Sequence, residues 1–477
     1  MSSSLSPTQM TSSTSSIPAV RVAEVTPYLR RMRSRMPFRF GKTVMTGMPV
    51  LHLRVRLEDE TGHSFEGWSA CGVVSMWFDK DYSKPEPQRE ADLLESVRQA
   101  ISGYRDAGTG SAWELHQRAE PGVRRILEEA GLNGLTAGYG IALMDAAVID
   151  GVCRRAGVPF HEGLRRGLTG FDPRLAAALP ASPVSAIALR HTIGLGDPLT
   201  AADVTEPIGD GLPETLEEVI ARYGTRYFKI KVNANRDESL GRLERIASVL
   251  RERAGDYRAT LDGNEAFPDM DSFLEFVEEC AASERLRPLW ARVLWIEQPV
   301  ARQLALDPSV ATPLARVTAH RPVIIDESDG DDQALEQALA LGYRGISAKN
   351  CKGVFRTLKS HLALHAAGPQ SGLLLSSEDL TNQPILPNHQ DLCVAAALGI
   401  THSERNGHHF FRGFQFLSEK ERHEALRDYP SLYDSAPDGI PSLRIRDGMM
   451  SVAEINSSPG LGVRSAPDWE AMEPIVL

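Results

Sequence analysis

The sequence predicts an α/β protein built on a (β/α)8-type TIM barrel, and three observations predict it. Short apolar runs recur roughly every 30 residues between Tyr227 and Glu404, helix-like segments separate them, and most runs stop at an ionisable or polar residue. The runs are YFKIKV (227–232), RATLDGN (258–264), RVLWIEQP (292–299), PVIIDES (322–328), RGISAKN (344–350), GLLLSSED (372–379) and GITHSE (399–404), with SAIALRHTIGL (185–195) upstream as the eighth. Buried strands alternating with amphipathic helices at this period build parallel βαβ units. Eight such units close a barrel.

In a barrel of this kind the C-terminal ends of the strands open on one mouth, where chemistry is done. Lys231, Asp262, Glu297, Asp326 and Lys349 come late in successive runs, at spacings of 31, 35, 29 and 23 residues. They are therefore expected to meet in space, three carboxylates flanked by two lysines.

This ordering resembles the enolase superfamily, and within it the muconate-lactonizing enzyme branch of the mandelate racemase/muconate-lactonizing enzyme family. The family's Lys-x-Lys is matched by Lys229-Ile230-Lys231, and its three metal carboxylates by Asp262 in LDGN, Glu297 in WIEQP and Asp326 in IDES. Its lysine on the opposite face is matched by Lys349 in SAKNCKG. The resemblance spans roughly residues 19–420 and implies an enolase-like barrel, in (β/α)8 or modified (β/α)7β form, under an α+β capping domain. It implies Mg2+ as cofactor, a homo-oligomer, and a loop near Arg39 that folds over the mouth and helps choose the substrate. No histidine stands at the sixth or seventh strand end, where the mandelate-racemase branch places its catalytic one.

The rest of the chain fits two domains. At 477 residues it exceeds one minimal domain. The Ser/Thr-rich start, residues 1–19, reads as a disordered tail, since it lacks the basic and apolar regions of a signal peptide. Alternation in VLHLRVRLED (50–59) with a turn at TGHSFEGW (61–68) predicts an antiparallel hairpin, preceded by a loop over RRMRSRMPFRFGKTVMTGMP. Three helical segments follow, of which the last carries Asp145 and Asp150, read as structural. Residues 20–175 are expected to form the cap, 185–420 the barrel, and 421–477 a segment returning to the cap, as in the resembled family.

Composition narrows the partners. A net charge of −11 argues against nucleic acid or an anionic membrane, and no apolar run approaches the ~20 residues of a membrane helix. Five scattered cysteines without CxxC spacing suggest neither disulfides nor zinc, and fit the reducing cytoplasm.

Three carboxylates at one mouth repel and raise one another's pKa unless a hard divalent cation joins them. Asn264 and Glu327 are expected to support them, and which of Asp326 and Glu327 is the third ligand stays open. A cation that also holds a substrate carboxylate stabilises the enediolate left when a proton departs from the neighbouring carbon. Lys231 and Lys349 are then acid and base on the two faces, and Lys229 supplies the positive charge that lowers a neighbouring lysine's pKa. Lys352 is expected to snorkel at a helix start. Contacts to a small-molecule carboxylate are expected from Arg39, His191, Ser376, Ser377, Glu378, Ser403 and Glu404. The leading reading is an isomerase, a racemase or epimerase. A lyase-type dehydratase or a cycloisomerase is the alternative on the same site. A Schiff-base aldolase leaves the three acids without a role, and a catalytically silent binding barrel leaves the two lysines without one.

Overall fold

The computed structural model describes residues 17–40, 43–436 and 439–477; the predicted tail lies outside the described residues as far as residue 16. The chain opens with an antiparallel sheet of β1 (Val20–Phe40), β2 (Thr43–Asp59) and β3 (Ser64–Gly72). The stretch expected as a loop before VLHLRVRLED is instead the distal half of the β1–β2 hairpin, with Arg33 opposite Gly47 and Phe38 opposite Met45. Gly and Pro suggested a loop, but Met32, Met36, Phe38, Met45 and Met48 are buried and hold the pair extended against the core.

Helices α1 (Ser75–Phe78), α2 (Glu86–Asp106), α3 (Ala112–Glu129) and α4 (Gly134–Arg155) follow. A reciprocal pair of bonds between Ser111 and Glu114 starts α3, and the Asn133 side chain caps α4. By length and composition α4 could span a membrane, but its apolar window is entirely buried within the protein. Asp145 accepts a bond from His116 at 3.0 Å and another from Tyr104. Asp150 accepts from the Trp68 and Leu461 amides at 3.0 and 2.7 Å and pairs with Arg154 at 2.6 Å. Both acids are structural, because each satisfies buried donors within the protein.

All eight predicted strands form. They are β4 (Ala186–Ile193), β5 (Tyr227–Lys231), β6 (Arg258–Asp262), β7 (Val293–Glu297), β8 (Val323–Ile324), β9 (Gly345–Ala348), β10 (Leu374–Ser377) and β11 (His402–Glu404). Parallel pairing runs β11-β4-β5-β6-β7-β8, then β9-β10. Parallel bridges Ile325–Ile346 and Glu378–Glu404 join the two pieces, so the pairings run round in a ring. The C-terminal segment does two things: Glu473–Pro474 pairs with β1, and Met449–Ser451 pairs antiparallel with β4. Trp469 packs against Tyr28, their ring centres 5.1 Å apart.

One buried cluster unites the sheet, α2–α4, β4 and the C-terminal segment, and a second fills β5–β9 and their helices. The close fit of β3 on α4 depends on Gly67, where an added Cβ would lie 1.9 Å from the Ala147 carbonyl oxygen and 2.7 Å from the Gly151 nitrogen. Backbone on both sides leaves nothing to yield. Gly67→Ala is therefore expected to cost about 1–3 kcal/mol, seen as a lower denaturation midpoint, and an unchanged midpoint would contradict this packing.

Candidate active site

The ring's strand ends converge on one ammonium. Lys229 and Lys231 share a face of β5, and Lys229 is wholly buried at the centre. Its Nζ lies 2.9 Å from Asp262 Oδ2, 2.9 Å from Glu297 Oε1, 2.9 Å from Glu378 Oε2 and 3.0 Å from Glu404 Oε2. Burial works against its charge, but the four carboxylates outweigh burial and hold its pKa well above the ordinary lysine value. The acids respond unequally. Burial and the neighbouring Glu378 push Glu297 well up, and burial raises Glu404 against the pull of Lys229. Glu378 stays well below the usual range because Lys229 and Lys349 overcome burial. Asp262, also buried, is brought to about 2 by Lys229 and Lys231.

Lys231 Nζ sits 2.6 Å from Asp262 Oδ2. Lys349 Nζ, just past β9, is 2.8 Å from Asp326 Oδ2 and 3.2 Å from Glu378 Oε2, and 4.1 Å from the centre of the Trp77 ring. Asp326 and Glu378 raise its pKa well above normal in spite of burial. Lys352 does not snorkel: it is buried, donates to the Asp326 and Ser347 carbonyls at 2.8 and 2.7 Å, and lies 2.9 Å from Asp326 Oδ1. It braces the Asp326 turn from behind. Gln298 fixes the same turn from the front, its Oε1 accepting the Asp326 and Ser328 amides at 2.8 and 3.1 Å.

Of the Asp326–Glu327 pair, Asp326 faces the lysines. Glu327 turns to Asn264 Nδ2 at 2.6 Å and to Lys80 at 3.3 Å. Burial lifts it to about 7 against the pull of Lys80. Lys80 also lies 2.6 Å from Glu265, which Arg302 grips at 2.9 Å, and Arg302 donates to the Phe78 and Trp77 carbonyls at 2.8 and 3.0 Å. Charged bonds thus fasten α1 to the mouth. The turns beneath are tight: Asn264, Glu265 and Gln298 take left-handed φ angles of 45°, 64° and 31°, costly for non-glycine residues and concentrated at functional sites.

The structure sorts the expected substrate contacts into two groups. Glu378 and Glu404 point inward and join the cluster. Ser376 also faces inward but lies deeper, accepting from the fully buried Arg190 at 2.9 Å. Ser377 and Ser403 bond each other at 3.0 Å on neighbouring strands, and neither lines the cavity at the mouth. His191 is also displaced from the site. Strand alternation sends Arg190 and Thr192 inward, Thr192 bonding Glu404, so His191 faces outward among His408 and His409, its ring 5.5 and 4.9 Å from theirs. Burial lowers its pKa to about 3. Arg39 is exposed beside Gly196, outside the cavity. From the same hairpin Phe38 and Met45 line the cavity instead.

Lys80, Trp77, Arg302 and Gln298 had no sequence signal of comparable strength. Only Gln298 and Arg302, in or just after WIEQP, lay close enough to a recognised motif to be suspected.

Glu297, Asp326 and Glu378 bring one oxygen each to within 4.8 Å of one another, close enough to hold a metal ion. The donor set fits a hard divalent cation, being all carboxylate oxygen. Glu297 Oε2 supports the fit, since it is buried and accepts no hydrogen bond. Asp262, one of the three expected ligands, stands beside them among the lysines. Its Oδ2 is shared by Lys229 and Lys231, and its Oδ1 accepts the Asn264 amide at 2.7 Å.

No protein-family model and no curated protein matches the chain. Solved structures do match it. An enolase from Bradyrhizobium, complexed with magnesium and mandelic acid, is 17% identical over 96% of this chain and 99% of its own, with a TM-score of 0.60. Muconate lactonizing enzyme from Pseudomonas fluorescens, complexed with muconolactone, is 17% identical over 94% and 98%, at 0.59. N-succinyl Arg/Lys racemase from Bacillus cereus is 17% identical over 94% and 96%, at 0.60. The fold is that of the enolase superfamily's mandelate racemase/muconate-lactonizing proteins.

Lys229→Met would leave four buried carboxylates facing one another without their shared cation. Unpairing buried charge costs about 3–5 kcal/mol. The variant should melt well below the parent in chelator and recover part of the loss in millimolar Mg2+, measured by thermal unfolding. A variant as stable as the parent in chelator would contradict the role given to Lys229.

Proposed function

We propose that the protein is an enolase-superfamily enzyme that removes the proton α to a substrate carboxylate with Mg2+, its ring being the enolase-type (β/α)8 barrel, and most readily a racemase or epimerase. The observation that carries this reading is the placement of Lys231 and Lys349. They stand four strands apart in a ring of eight, both line one cavity, and both face the same carboxylate cluster.

Glu297, Asp326 and Glu378 would hold the cation, with Asp262 beside them. Once bound, it supplies Lewis-acid stabilisation of the negative charge that develops on the substrate's carboxylate. With the cation in place, its charge would draw a substrate carboxylate to the cluster between Lys231 and Lys349.

Proton transfer between two faces needs one lysine charged and the other neutral at any moment. Lys349 is gripped by Asp326 and Glu378 and Lys231 meets Asp262, and each would serve its own face, the neutral one taking the proton while the charged one returns a proton. Lys229 holds the four carboxylates in place, and its positive charge also works against that of Lys349. Lys349's tightly held proton also suits a cycloisomerase or dehydratase, in which that lysine stabilises charge without exchanging its proton.

The test is Mg2+-dependent exchange of α-protons for deuterium in D2O across single enantiomers of pooled carboxylates, read by mass spectrometry. General-base catalysis is worth about 10²–10⁴-fold. Lys231→Ala should lose about that factor for one enantiomer and Lys349→Ala for the other. Loss from Lys231→Ala alone selects cycloisomerisation or elimination. Undiminished exchange in both variants would contradict the assignment.

A further inference from the structure

The cavity at the mouth has two unlike halves. One half is the charged cluster together with Asn264, Thr381 and Asn406, while Phe38, Met45, Val74, Trp77 and Leu380 supply the apolar other half, the roof. We propose that this roof selects a small carboxylate bearing a compact apolar substituent at the reacting carbon. The inference rests on the α-proton chemistry proposed above and adds the nature of the substituent.

The roof is fixed in place. Arg302 holds the carbonyls of Trp77 and Phe78, Asn133 donates to the Phe78 carbonyl at 3.1 Å, and Phe38 packs on Phe410 at 4.2 Å. Trp77 turns its ring face to the Lys349 ammonium, leaving the substituent an apolar wall beside a charged one. A carboxylate drawn to the charged half must point its remaining groups at this roof. A methylene there is favoured about 4-fold over water exposure, whereas a hydroxyl meets side chains of which only the Trp77 indole N–H and the weakly accepting Met45 sulfur could bond it, and so loses most of what water gave it. Beyond Lys231 and Asn264 opens a wider groove lined by Asp79, Asp81, Asn133 and Asn235, where a hydroxylated substituent finds more partners than under the roof.

Two acids without an α-proton separate the cases and cannot react: pivalate and 2,2-bis(hydroxymethyl)propanoate, titrated calorimetrically into the full-length protein with Mg2+. Pivalate should bind at least about tenfold more tightly. Met45→Gln and Val74→Thr, two near-isosteric changes at different roof positions, should each narrow that preference severalfold. Equal binding, preference for the hydroxylated acid, absence of binding by either, or a preference unchanged in both variants would overturn the inference. Selective pivalate binding in a protein that exchanges no α-proton from any apolar carboxylate would leave the roof's selectivity standing and overturn the proton-abstraction reading.

Discussion

A single buried ammonium holds the site together. Lys229 draws the ends of β6, β7, β10 and β11 to within 3.0 Å of one nitrogen. Without it, four desolvated carboxylates would repel at short range in a medium that screens poorly. The lysine therefore gathers acids that a metal site needs close together, and it leaves Glu297 Oε2 buried and without a partner. The unequal pKa shifts of the four acids follow from this geometry. Glu378, which also meets Lys349, stays ionised, while Glu297, pressed by Glu378, is pushed toward its neutral form.

Around this centre the mouth is braced from three sides. Gln298 and Lys352 hold the Asp326 turn between them. The third brace comes from α1, which Lys80, Glu265 and Arg302 tie to the turn after β6. Such charged bonds are short-ranged and directional, so they set the position of Trp77 over Lys349 more firmly than apolar contact alone would. Chemistry and selectivity are thus mechanically joined: the turns that carry the acids also anchor the lid of the cavity.

Much of this was legible in the sequence. Eight strands followed from the period of the apolar runs, and the meeting of Lys231, Asp262, Glu297, Asp326 and Lys349 followed from their late positions in those runs. Less legible was whatever depends on which way a side chain points. His191 and Thr192 are neighbours, yet alternation turns Thr192 inward and His191 into the helical layer, and nothing in ALRHTIG fixes that register. The same parity puts Glu378 and Glu404 in the cluster and leaves Ser377 and Ser403 bonded to each other. The hairpin around Phe38 was obscured by its Gly and Pro, which mark turns locally while buried methionines settle the tertiary pairing. Lys80 and Trp77 were beyond reach because their partners lie far away in sequence and only the fold makes them neighbours.

The central claim is that the acids gathered by Lys229 form a cation site beside two opposed lysines. The most direct test is anomalous diffraction from crystals grown with Mn2+, which takes Mg2+-type oxygen sites. The account predicts one strong peak within bonding distance of Glu297 and Asp326, completed by Glu378 or Asp262. A map without a peak at the cluster, in crystals that bind Mn2+ elsewhere, would contradict it.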